Sequence, residues 1–132
     1  MDFDEFRDRV ERLDKLAASG DDRALISAVE EIAASDLPPL DRARLLCQAA
    51  QARERLNETV EALATYDRAA ALETPLHRFQ ALFRKADYLM RLGRKDECRD
   101  ILLALKDRPE ATLSERHSFE SRVKLLRRVK TT

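Results

Sequence analysis

Asn57-Glu58-Thr59-Val60-Glu61-Ala62-Leu63-Ala64-Thr65-Tyr66-Asp67-Arg68-Ala69-Ala70-Ala71-Leu72-Glu73-Thr74-Pro75 reads as one helix held between two breakers. Asparagine tolerates the left-handed backbone angles that end a helix, and proline cannot continue one. Between them Ala62, Leu63, Tyr66, Ala69 and Ala70 recur at helical spacing. Outward from this stretch the same breakers return. Gly20 lies 37 residues before Asn57, and Gly93 lies 36 residues after it. Pro39 precedes Pro75 by 36 residues, and Pro109 follows it by 34. Two interleaved series of breakers at one period are the signature of a helical-hairpin repeat array. Such arrays bury a continuous core between neighbouring hairpins and present extended surfaces to partners.

The breakers predict seven helices, over about 2–18, 22–35, 40–55, 58–72, 76–92, 94–107 and 113–130. They pair as 2–36, 40–73 and 76–108, leaving the last helix, 113–130, as a cap. The fold class expected is all-α: a short right-handed solenoid of three antiparallel helix pairs plus a C-terminal capping helix, in one domain over 1–132. Each helix offers an apolar face. Phe3, Phe6, Val10, Leu13 and Ala17 share one in the first helix, and Leu25, Val29 and Ile32 share one in the second. Leu45, Leu46, Ala49 and Ala50 follow in the third. The fifth is the most apolar, with Phe79, Leu82, Phe83, Ala86, Leu89 and Met90 over a broad arc. Cys98, Ile101, Leu102 and Leu105 serve the sixth, and Phe119, Val123 and Leu126 the seventh. Asp21 or Asp22 can cap the second helix, and Thr112 with Glu115 has the spacing of a capping box.

Composition agrees. Of 132 residues, 38% are charged and 44% hydrophobic, with two glycines and no tryptophan, which suits amphipathic helices and argues against disorder. The formal net charge is zero, but residues 1–35 carry ten acids and five bases while 112–132 carry six bases and two acids. Such an asymmetry reads first as ordinary surface scatter and second as a dipole that favours head-to-tail contacts or biases the choice of partner. Cys47 and Cys98 sit inside helical patterns, as reduced thiols of a cytoplasmic protein would. The longest notable apolar run, Ile101–Leu105, is far short of a membrane span. The acidic start lacks the form of a signal peptide.

The period and pairing resemble the tetratricopeptide repeat (TPR). Ala62, Tyr66 and Ala69, with Pro75 close behind, have the small-large-small spacing of its second helix. Cys98, Leu102 and Leu105 keep the phase in the third hairpin. Leu46, Ala49 and Ala50, then Leu82, Lys85 and Ala86, fill the first-helix positions, although Arg53 and Leu89 replace the usual tyrosine. The resemblance covers roughly residues 2–110. It implies that the first helices of the pairs line a concave groove for a peptide or helix of a partner protein. The stripes it selects are Arg7, Glu11 and Asp14; Arg44, Gln48, Gln51 and Arg55; and Gln80, Arg84, Asp87 and Arg91. Arginine there can bind carboxylates through paired hydrogen bonds. Asp87 and Arg91 are also spaced to pair with each other. Family members that clamp acidic chaperone tails use a set of basic and amide residues at positions that here read Val10, Asp14, Gln48, Gln80 and Arg84. Only Arg84 fits, so that clamp is not expected.

Enzyme chemistry finds no support in the residues. His77 and His117 are forty residues apart near helix starts, and both read as solvated helix-end histidines. The two cysteines and two histidines lack the short spacings of a zinc site, so no metal is expected. The only glycines are at hairpin turns, which leaves no phosphate loop and no cofactor motif. The expected function is a protein–protein interaction scaffold: an adaptor, chaperone-like holder or assembly factor. Two alternatives stand beside it. One is a nucleic-acid-associated factor using Arg116, Arg122, Lys124, Arg127, Arg128 and Lys130 of the last helix, though Glu115 and Glu120 interrupt that series. The other is a self-associating structural subunit, a homo-oligomer. A membrane-surface role is not expected.

Overall fold

The computed structural model describes residues 2–108, 116, 117 and 120–124. It is helical, with no strand among the described residues. The helices are α1 (Phe3–Ser19), α2 (Asp22–Ala33), α3 (Pro39–Arg55), α4 (Thr59–Glu73), α5 (Gln80–Arg91) and α6 (Lys95–Asp107). A 3-10 turn, Thr74–Leu76, follows α4. Residues 116, 117 and 120–124 are also helical. The chain divides into two compact units, Met1–Ala81 and Leu82–Thr132.

The helix ends follow from residue type. Asp2 caps α1 by accepting from the Glu5 N–H at 2.8 Å, and Asp21 caps α2 by accepting from Ala24 at 3.1 Å. Pro39 occupies the first turn of α3, where its missing N–H costs nothing. Gly20, Asn57 and Gly93 adopt φ of 78°, 60° and 81°, left-handed angles that let the chain reverse. At Asn57 and Gly93 the cap is completed by paired backbone bonds: Glu58 donates to Arg53 and Asn57 to Glu54, as Arg94 donates to Leu89 and Gly93 to Met90.

In the first unit, ion pairs fix the helix directions. Arg9 pairs with Glu31 at 3.6 Å, each eleven residues from Gly20, so α1 and α2 run antiparallel. Arg55 at the end of α3 meets Asp22 at the start of α2 at 2.8 Å, so these two are antiparallel as well. Arg23 meets Glu58 at 3.0 Å, and Glu30 meets Arg68 at 2.8 Å. These two bridges, near the start and the end of α2, set α2 and α4 in the same direction. The core gathers Leu13, Leu25, Ile26, Val29, Ile32, Leu45, Ala49 and Ala52. Alanine recurs at the contact positions of α3 and α4, where Ala49, Ala50, Ala52, Ala62 and Ala69 are all buried. Small side chains allow helix axes to approach, and Tyr66, 1% exposed, fills the space left.

In the second unit, Ala86, Tyr88 and Leu89 of α5 and Cys98, Leu102 and Leu105 of α6 are buried, as is Val123. Arg122 lays its guanidinium 4.0 Å from the Phe83 ring centroid and reaches Asp87 at 3.1 Å.

Several expectations are corrected. Helix five does not begin at 76: Pro75 belongs to the 3-10 turn, His77 turns left-handed with φ of 56°, and α5 starts at Gln80. The cause is a fourth left-handed turn, the third with paired backbone bonds, in which Arg78 donates to Glu73 and His77 to Thr74. Tyr88 takes the buried place expected of Met90, which is 37% exposed. The apolar face of α1 is only partly used. Leu13 is its one buried side chain, and Phe3 is 74% exposed. Thr112, Glu115, Phe119 and Leu126 lie outside the described residues.

Candidate interaction stripe on the third helix

Helix α3 is the most enclosed element of the first unit. Ala43, Leu45, Leu46, Cys47, Ala49, Ala50 and Ala52 are all buried along it. Between Ala43 and Ala52 only Arg44, Gln48 and Gln51 remain accessible. They follow a four-then-three residue step, the spacing of one helix face. The accessible part of this helix is thus a narrow polar stripe carrying a guanidinium and two amides. Among the described residues none of the three has an intramolecular hydrogen bond or ion pair.

Arg55, expected to extend the stripe, is committed elsewhere. Its Nε and one terminal nitrogen both donate to Asp22, at 2.9 and 2.8 Å, across the α2–α3 contact. Asp22 is mostly buried and the Arg55 side chain is 53% exposed, so the pair ties α2 to α3 while part of the guanidinium stays accessible. The stripe of α1 is exposed at Arg7, Glu11 and Asp14, with Arg7 pairing to Asp4 at 3.4 Å. Gln80 and Arg84 are exposed. Asp87 pairs with Arg122, while Arg91 lies 5.5 Å from the Tyr88 ring centroid.

Two titratable groups respond to their surroundings. The hydrogen bond from Arg68 holds the Glu30 carboxyl below the usual glutamate range, against a smaller opposing effect of burial. Burial pushes the Cys98 thiol up, the Asp87 charge adds to the rise, and Arg122 offsets part of it. A thiol so placed is a packed side chain whose protonated form is favoured.

One carboxylate, Glu73, is buried without an evident motif in the sequence. Glu73 is 6% exposed and accepts from the Ala81 N–H at 2.7 Å, tying the end of α4 to the first turn of α5. A carboxylate at a helix N-terminus is favoured by the backbone dipoles. The signal for it in sequence is faint, because the cap reaches over eight residues and a left-handed histidine. His77 is exposed and serves the turn, not a helix start. On the basic last helix, Arg122 is spent on Phe83 and Asp87, which removes one of the six charges of the nucleic-acid reading. Arg127, Arg128 and Lys130 lie outside the described residues.

A recess of about 130 Å³ lies beside Leu103, Lys106, Glu120, Val123 and Lys124. Small-molecule sites enclose roughly 300–1,000 Å³. No group of histidine, cysteine, aspartate and glutamate among the described residues is arranged to hold a metal. No helix among them is long and apolar enough to cross a membrane. Compared with protein-family models, curated proteins and solved structures, the chain finds no match.

Proposed function

We propose that the chain is a short right-handed solenoid of the tetratricopeptide kind and acts as a protein–protein interaction scaffold, holding a peptide or helix of a partner against α3. The observation that carries this is the stripe Arg44, Gln48 and Gln51. A helix that buries every other side chain between residues 43 and 52 keeps three polar donors accessible in one line. Side chains with no hydrogen-bond or ion-pair partner among the described residues can meet a ligand's backbone and carboxylates, and a guanidinium favours acidic residues. The same-direction placement of α2 and α4, bridged at sequence separations of 35 and 38, supports the repeat architecture.

The test is a panel of acidic, neutral and basic amphipathic peptides measured by fluorescence polarisation. Acidic members should bind, and Arg44→Glu should abolish that binding while circular dichroism stays unchanged. If acidic peptides bind equally well to Arg44→Glu, the stripe is not the site. If instead a single-stranded oligonucleotide binds tightly and weakens steeply with salt, the nucleic-acid reading replaces this one.

A further inference from the structure

Helix α1 outreaches its partner. It has 17 residues against 12 in α2. The Arg9–Glu31 pair sets the register about Gly20 and places Ala33, the last residue of α2, level with Arg7. Residues 3–6 therefore project past the end of α2. On this projection Phe3 is 74% exposed and Phe6 only half-buried. Phe3 and the open side of Phe6, one turn apart, give this helix end an apolar surface. The same end is the acidic one. Residues 2–8 hold Asp2, Asp4, Glu5 and Asp8 against the single base Arg7.

The complement lies in the chain itself. Residues 124–130, read as sequence alone, hold Lys124, Arg127, Arg128 and Lys130 and no acid. Leu125 and Val129, four apart, interleave with them. We propose that the projecting end of α1 receives the basic segment 124–130 of a second copy of this chain. The aromatic pair would take the two aliphatic side chains, and the flanking acids would face the bases. A symmetric contact between two α1 ends is disfavoured, because acid would meet acid. The contact joins unlike surfaces, so it repeats head to tail, and the assembly either closes into a ring or leaves one open surface at each end. It does not depend on the α3 stripe.

Light scattering on the full chain tests this. Mass should rise with protein concentration at low salt and fall when salt is added, because exposed charges are screened. Phe3→Asp should be monomeric, and so should the double variant Arg127→Glu with Arg128→Glu. Mixed in equal amounts, the two variants should form a pair of one copy each and nothing larger, since each keeps the surface the other has lost. Formation of that pair also shows that both variants are folded. A monomeric wild-type chain at low salt overturns the proposal. So does variant association equal to wild type, or the absence of a mixed pair when both variants are helical by circular dichroism.

Discussion

Tyr66 shows how a single side chain carries the contact between helices. Its ring is buried and its hydroxyl donates to Glu54. Tyr66→Phe should cost about 1.5–3 kcal/mol, the worth of a hydrogen bond to a charged group. Tyr66→Ala should cost about 3–5 kcal/mol, because a cavity is left among alanines too small to fill it. Urea denaturation separates the two. Glu30 and Arg68 make a pH-dependent contribution. The folded carboxyl titrates below the ordinary glutamate value of about 4.3. The stability it adds is therefore complete above that value and is lost as pH falls through the lowered one. Partial exposure limits the effect to at most about 1 kcal/mol. The melting difference between wild type and Arg68→Gln should be present at neutral pH and shrink as pH falls through the lowered carboxyl value. Residues whose role is local are the legible ones. Asp21 caps from its own position, whereas the bond from Arg55 to Asp22 spans 33 residues and leaves no local signal in the sequence.

At the scale of elements, the caps decide where each helix stops. Nothing lies within 4 Å of a Cβ added at Gly20 or Gly93, so the cost of a side chain there is purely in the backbone. Gly93→Ala should cost about 1–2 kcal/mol. Asn57→Val and His77→Val should each cost at least as much, since a β-branched residue is an outlier at positive φ. Thermal melts of the three variants check this. Gly20, Asn57 and Gly93 were readable in the sequence because few residue types accept that angle. His77 was not, since histidine reaches it only when the surrounding bonds impose it, as those from His77 and Arg78 do here. The end of α1 was unreadable for another reason. Whether Phe3 is covered depends on the length of the neighbouring helix, not on the period of its own.

Across the whole molecule burial is uneven, and protection against hydrogen exchange should follow it. In the first unit α3 buries seven side chains and α1 only Leu13. Amides of α3 should exchange slowest and those of α1 fastest, by orders of magnitude, in a mass-spectrometric time course. In the second unit Val123 is 4% exposed, and Val123→Ala should cost about 1–2 kcal/mol through the methyl groups removed. The chain has two tyrosines and no tryptophan. Tyr66 belongs to one compact unit and Tyr88 to the other, and both are buried. Each unit therefore carries its own optical reporter. Tyrosine emission from Tyr88→Phe follows the first unit, that from Tyr66→Phe follows the second, and the unfolding of each half can be timed without a dye.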